Sequence, residues 1–308
     1  MKGVLLINMG VPESEGEVKH FLRLIFLDKH IIPAPYFIRN ILSLYISKTR
    51  YKKSWARYVQ IGGTPLKRNT LELANALQNK IGNNYLVKVA YSYSDPYIQN
   101  VIKEYYNNGI CDVIVIPLYP QYSITTTESV IYALEKIKTQ YQNITIRTIN
   151  EFYSNKLFVE YWKELITNHI KINNLSNPFL LYSAHSIPTS FIKKGDTYQK
   201  AIEGTAKLIS KACELNYSVS YQSQMNEKTW LGPSTQSQLN YLKNNKIKEV
   251  VIIPISFVCE NLETKYDLDI QIVPQFNPLV IGSKDFNVSR VEIPAVNEKF
   301  VEMLISFL

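Results

Sequence analysis

Cysteine is scarce in this 308-residue chain: there are three, Cys111, Cys213 and Cys259, an odd number set far apart. No pair has the spacing of a zinc knuckle or an iron–sulfur site, so they read as free, reduced thiols. Histidine is nearly as rare, with four residues. Nothing approaches the roughly 20 uninterrupted apolar residues that a membrane span needs. The start, Met1-Lys2-Gly3-Val4-Leu5-Leu6-Ile7-Asn8, is too short an apolar run for a signal peptide and has no small-residue cleavage site. It reads as a first strand, and the cytoplasm is the expected compartment. There is no G-x-G-x-x-G fingerprint, and no Lys-Ser or Lys-Thr follows Gly62-Gly63 at Walker spacing. Dinucleotide and P-loop chemistry lose support accordingly.

What is present is globular. Hydrophobic residues make up 46% and charged residues 19%, enough to bury a core in one large domain or two ordinary ones. The net charge of +8 suits acidic partners such as anionic lipid, nucleic acid or a carboxylate-bearing ligand. Lys, Asn, Ile and Tyr are abundant throughout, so neither the charge nor the 22 tyrosines is read as a functional signal.

Short apolar runs at residues 4–7, 86–91, 113–116, 144–146, 179–182, 219–221, 250–253 and 291–293 read as strands. Segments between them, such as 70–80 and 129–138, carry apolar residues at helical spacing. Continuous apolar strands alternating with helices indicate parallel sheets covered on both faces. The chain also repeats itself. Leu5-Leu6-Ile7-Asn8 resembles Leu180-Leu181-Tyr182-Ser183, Val89-Ala90-Tyr91-Ser92 resembles Val219-Ser220-Tyr221-Gln222, and Asp112–Pro117 resembles Glu249-Val250-Val251-Ile252-Ile253-Pro254. The three pairs keep the same order in each half. Two similar α/β lobes are expected, 1–150 and 151–308, with the final helix free to pack back on the first.

In such sheets ligands bind beyond the carboxyl ends of the strands. The unusual residues follow the strands: Met9-Gly10, Tyr119-Pro120-Gln121-Tyr122-Ser123, Ala184-His185-Ser186, Gln222-Ser223 and Cys259-Glu260-Asn261-Leu262-Glu263. His20 and His30 lie in polar surroundings and read as exposed, and His169 lies in the helical run 158–172. His185 differs, because it sits just past an apolar strand between small residues. An imidazole there can take a proton or bind a transition metal. Glu260, Glu263, Asp267 and Asp269 form an acidic set, and 260, 263 and 267 share a face if the segment is an α-helix. Such a set is either a metal or proton path or a solvated helix N-terminus. Ser123, Thr125, Thr126, Thr127 and Ser129 form a hydroxyl cluster that caps a helix or holds a carboxylate. Residues 31–46 are either a core helix or an exposed apolar lip leading to Lys48, Arg50, Lys52 and Lys53; Pro33 and Pro35 favour the lip.

Taken together these segments resemble the ferrochelatases, over nearly the whole chain. The resemblance rests on Leu5–Gly10, Phe21–Asp28, the Gly62-Gly63-Thr64-Pro65-Leu66 turn, Leu118–Ser123, Ser183-Ala184-His185-Ser186-Ile187-Pro188 and Gly195-Asp196. It continues through Tyr221-Gln222-Ser223, Trp230-Leu231-Gly232-Pro233 and Pro254-Ile255-Ser256-Phe257-Val258 to Leu262-Glu263-Thr264. It implies an α/β fold of two similar Rossmann-like lobes, chelatase-like, each a parallel β-sheet flanked by helices, with an active-site cleft between them. It implies insertion of Fe2+ into protoporphyrin IX to give protohaem. His185 and Glu263 are the implied catalytic pair, and His185, Glu263 and Asp267 the implied metal residues. Met9, Tyr119, Tyr122, Ser123, Thr126, Ser186 and Trp230 are the implied substrate contacts.

There are four departures from the family pattern. Glu260-Asn261 stand where Asp-His is usual, Gln271 replaces an acid, Ser92 replaces an arginine, and Ser223-Gln224 replaces a serine–basic pair. The central pair is intact; the changes bear on the metal path and on contacts to porphyrin carboxylates. Animal members carry a cysteine-ligated iron–sulfur cluster near the C-terminus. No cysteine follows Cys259, so none is expected here, nor any permanently bound cofactor, with Fe2+ a substrate. The expected partners are protoporphyrin IX, Fe2+ and membrane lipid in peripheral contact, not nucleic acid. Tyrosine is usual at the Met9 position in members acting on coproporphyrin, which favours protoporphyrin here. The alternatives are another tetrapyrrole chelatase, acting on coproporphyrin or inserting cobalt, or a non-catalytic two-lobed binding protein.

Overall fold

A computed structural model describes residues 1–141, 143–277 and 286–308. The chain forms two compact units, one of Met1–Glu151 with Leu304–Leu308 and the other of Phe152–Met303. The first holds strands β1 (Lys2–Asn8), β2 (Tyr85–Tyr91), β3 (Asp112–Pro117) and β4 (Thr145–Thr148) in the order β2-β1-β3-β4. The second holds β5 (Phe179–His185), β6 (Tyr217–Gln222), β7 (Glu249–Ile253) and β8 (Asn287–Arg290) in the order β6-β5-β7-β8. All six pairings are parallel. The second order is the first with each number raised by four. That is the physical form of the repeat read in the sequence, since β1, β2 and β3 are the segments that resemble β5, β6 and β7.

The central strands are apolar along their length because helices cover both faces. Val4, Leu5, Leu6 and Ile7 of β1 are fully buried, as are Leu180, Leu181 and Tyr182 of β5. In the first unit α1 (Glu15–Leu27), α2 (Tyr36–Gln60), α3 (Leu66–Ile81), α4 (Ile98–Asn107) and α5 (Thr127–Lys138) connect or cover the strands. Ile102, Tyr105, Val130 and Leu134 pack there against Leu5, Ile7, Val113 and Val115. In the second unit the helices are α6 (Lys156–Ile172), α7 (Thr189–Lys193), α8 (Tyr198–Cys213) and α9 (Thr235–Asn244), with a π-helix at Glu263–Ile272, then α10 (Val273–Phe276). The last helix, α11 (Glu298–Ile305), ends the chain. Leu239, Val250, Ile252, Leu268 and Val288 form one second-unit core. Phe158, Tyr161, Trp162 and Phe300 form an aromatic cluster with centroids 5.2–6.5 Å apart.

The strand readings fail in register only at two sheet edges. The run at 144–146 becomes β4 at Thr145–Thr148, and the run at 291–293 lies beyond β8, which is Asn287–Arg290. Both edge strands are short and carry one apolar residue each, TIRT and NVSR, so apolar density does not mark them. Val291 N–H still reaches the Ile252 carbonyl at 3.0 Å, which extends the ladder past the strand proper.

Gly10 follows β1 with φ +87°, and a Cβ there would collide with the Ser94 hydroxyl and with Cβ of Tyr91. Only glycine suits both the backbone and the space. The chain thus turns sharply at the carboxyl end of the central strand.

Candidate active site

In the first unit the implied substrate residues leave the ends of β1 and β3, the adjacent central strands. Leu118 N–H donates to the Ile7 carbonyl at 2.7 Å, holding the Tyr119 segment beside Met9. Met9 is half-buried, and its carbonyl accepts from Tyr93 N–H at 3.0 Å. Tyr122 Oη donates to Glu128 at 2.8 Å, and Ser123 Oγ lies 2.9 Å from Thr125 Oγ1. The hydroxyl cluster opens α5, yet Thr126 makes no side-chain cap bond. The Ser123 carbonyl accepts from Thr126 and Glu128 N–H, both at 3.2 Å, so backbone performs the capping.

A residue the sequence did not single out organises this end of the sheet. Asp28 accepts from Tyr93 Oη at 2.8 Å, from Ser129 Oγ, and from His30 N at 2.8 Å. Burial, then the Asp28 charge, push the Tyr93 hydroxyl well above its ordinary pKa. Burial raises Tyr119 too, with Asp28 adding and a hydrogen bond to Ser92 opposing. Both phenols therefore stay protonated. His30, read as exposed, is instead tucked against Asp28, with Nδ1 at 3.1 Å. An aspartate at a helix end carries no pattern that marks it, because its partners come from residues 93 and 129.

In the second unit His185 is the last residue of β5. Its Nδ1 lies 2.7 Å from the Ser186 carbonyl. A carbonyl only accepts, so Nδ1 carries a proton, and in the neutral ring the lone pair is on Nε2. Nε2 makes no hydrogen bond among the described residues. Ser186 N–H donates to the Gln222 carbonyl at 2.9 Å and Ser186 Oγ to the Leu231 carbonyl at 2.8 Å. Trp230 is brought to the same loop by an antiparallel bridge to Pro188, with Leu231 N–H on the Ile187 carbonyl at 2.9 Å.

Glu263 and Asp267 lie four residues apart in the π-helix. Its i→i+5 bonding widens each turn, so side chains roughly four to five apart stack rather than three to four. Asp267 Oδ2 accepts from Ser223 Oγ at 2.6 Å, which ties it to the turn after β6. Glu260 does not share this face. It precedes the helix, is buried, and accepts from Arg290 at 2.9 Å, from Ile293 N–H at 2.8 Å and from Thr264. Asp269 takes the other edge of the same guanidinium, at 2.6 and 2.7 Å. Of the four acids, two are therefore structural. Burial opposes the Arg290 charge, but the bonds and charges of Asp269 and Glu260 outweigh it and hold Arg290 above its ordinary pKa. Among the described residues no three His, Cys, Asp or Glu side chains are grouped as a metal cage.

Residues 1–308 match the family model for ferrochelatase. The chain is 39% identical over 309 residues to a protein of Aquifex aeolicus named ferrochelatase, covering 98% of this chain and 97% of that one. It is 33% identical over 316 residues to a ferrochelatase of Sulfurimonas denitrificans, with coverage of 99% and 97%. The chain belongs to the ferrochelatase family. It is an enzyme, a lyase of haem biosynthesis that inserts metal into porphyrin. Among solved structures it resembles SirB from Bacillus subtilis with Fe3+ at TM-score 0.61 and 10% identity, covering 100% of this chain and 96% of that one. It also resembles CbiX, titled the terminal enzyme for biosynthesis of siroheme in denitrifying bacteria, at TM-score 0.52 and 10% identity, with coverage of 99% and 97%. At that identity the likeness shows the chelatase fold alone. In this ferrochelatase-family chain Glu263 and Asp267 lie on the π-helix after β7, whereas Glu260 is a buried anchor for Arg290.

Proposed function

We propose that the protein inserts Fe2+ into protoporphyrin IX to form protohaem, both being substrates, with no permanently bound cofactor and no iron–sulfur cluster. The observation that carries this reading is the His185 tautomer: Nδ1–H is held by the Ser186 carbonyl at 2.7 Å, which leaves Nε2 as a base. Metalation requires two pyrrole N–H protons to leave as hydrated Fe2+ sheds its waters. Nε2 accepts such a proton, and the Nδ1–H bond stabilises the imidazolium that forms. Glu263 and Asp267 balance charge and pass protons or metal. Ferrous iron suits imidazole and carboxylate ligands, and weak sequential ligands let the metal leave into the product.

Tyr119, Tyr122, Ser123, Thr126, Ser186 and Trp230 serve as porphyrin contacts, and Met9 packs softly on the macrocycle face. An apolar, aromatic surround lets peripheral binding energy distort the ring toward its metalated shape. A methionine at position 9, where a polar hydroxyl would suit a further carboxylate, favours protoporphyrin over coproporphyrin.

The enzyme works in the cytoplasm, peripherally on the membrane. Among the described residues no helix is long and apolar enough to cross one. α2 instead offers exposed Tyr36, Phe37, Ile41 and Tyr45, and from Arg39 to Arg57 it carries six cations and no acid. No nucleic-acid partner is proposed. Fe2+-dependent loss of free-porphyrin fluorescence, compared on protoporphyrin IX and coproporphyrin, tests the substrate. Faster turnover of coproporphyrin would contradict the choice, and no Fe2+-dependent loss on either would reject the activity.

A further inference from the structure

β5 outruns its neighbour β7. Their pairing ends at Tyr182 opposite Ile253, whereas β5 stays paired with β6 as far as His185 opposite Gln222. Ser186 N–H bonds to Gln222 of β6 at 2.9 Å, so by strand alternation the N–H and C=O of His185 face the side that β7 has left. A half-buried peptide there needs other partners. Two side chains supply them. His185 N–H donates to Ser256 Oγ at 3.0 Å, and Tyr198 Oη donates to the His185 carbonyl at 3.0 Å. Both polar groups of the His185 peptide are thus held by side-chain hydroxyls. Asp196 Oδ1 accepts from Tyr198 N–H at 2.9 Å and fixes the start of α8.

We infer that Tyr198 and Ser256 are positioning residues for His185, holding the protruding end of β5 so that Nε2 keeps one direction. The inference rests on His185 being the base of the proposed function. Burial raises Tyr198 above its ordinary pKa, so it remains a donor throughout the working range. Neither hydroxyl is assigned to porphyrin or metal. Their effect passes through the histidine backbone, where a small displacement of a reacting group lowers rate more than affinity.

The test is steady-state turnover of Tyr198→Phe, Ser256→Ala and Ser256→Thr, each alone and in the His185→Ala background, with porphyrin KM and thermal melting measured alongside. Tyr198→Phe and Ser256→Ala should lower kcat roughly 10- to 100-fold with porphyrin KM little changed. Ser256→Thr keeps a hydroxyl and should restore most of the rate. In the His185→Ala background neither change should lower the residual rate further, because groups serving one step act as a unit. Ser256→Ala carries the test if Tyr198→Phe does not fold. Normal kcat in a folded Ser256→Ala enzyme would overturn the inference, as would an equal loss without His185. A wild-type protein that never consumes Fe2+ would instead reject the underlying function.

Discussion

Ser223 Oγ stands 2.6 Å from Asp267 Oδ2, joining the turn after β6 to the π-helix. Ser223 adopts φ +61°, a left-handed backbone that a non-glycine residue holds only when its surroundings fix it. The bond is short because a hydroxyl donates to a carboxylate. Asp267→Asn keeps an acceptor for Ser223 but removes the charge. Fe2+ KM should rise about tenfold, with a smaller loss of kcat than in Glu263→Gln. Glu260 cannot stand in for the lost charge, because Arg290 holds it at 2.9 Å. Unchanged Fe2+ KM would remove Asp267 from the metal path.

Arg290 of β8 clamps Asp269 of the π-helix and Glu260 just ahead of it. Its side chain is 3% exposed and that of Glu260 6%. Arg290→Met would leave a buried carboxylate without its counter-charge, a loss on the order of 3–5 kcal/mol. Chemical denaturation should show it as a large drop in midpoint. A stability within error of wild type would mean that Glu260 finds water or Lys265 instead.

His169 bonds to Ser289 at 2.8 Å. Burial first, then the Arg290 charge, depress its pKa below the ordinary histidine value, against a smaller pull from Glu292. The unfolded chain therefore binds the proton more tightly than the folded one. Stability should rise with pH across the interval between the folded value and about 6.5, and fall as pH drops through it. His169→Gln should flatten that part of the stability–pH curve. An identical slope in the variant would assign the acid sensitivity elsewhere.

The doubled α/β plan was legible because buried parallel strands are continuously apolar and recur in the same order. Edge strands β4 and β8 were misplaced by a few residues, since polar edges carry little periodic signal. His185 was legible from its place after β5. Glu260 was not: its spacing to Glu263 and Asp267 fits an α-helix, whereas the segment begins at Glu263 as a π-helix. Its partner Arg290 lies 30 residues away on β8. The roles of Tyr198 and Ser256 were equally hidden, because what they complete is a gap in a ladder, and a gap shows only once the strand lengths are known.

The exposed face of α2 leads to a membrane prediction. Phe37 is 65% and Ile41 66% exposed, and the helix continues into Lys48, Arg50, Lys52 and Lys53. Insertion of the apolar end and attraction of the basic end, about 1 kcal/mol per cation near an anionic surface, act together. Co-sedimentation with phosphatidylserine vesicles should be strong at low salt and weaken as salt rises. Phe37→Asp with Ile41→Asp should reduce it while turnover of solubilised porphyrin persists. No binding at low salt would end the idea.

Removal of the His185 imidazole bears most directly on the mechanism. His20 is bonded to Tyr97, His30 to Asp28 and His169 to Ser289, so each of the other three imidazoles already has a side-chain partner. Fe2+-dependent loss of protoporphyrin fluorescence by His185→Ala, with melting and porphyrin affinity measured on the same protein, is the decisive measurement. Retained fold and porphyrin binding with turnover reduced by about 10³-fold or more is the expected result. Near-normal turnover by the folded variant would contradict His185 as the base that takes the pyrrole protons.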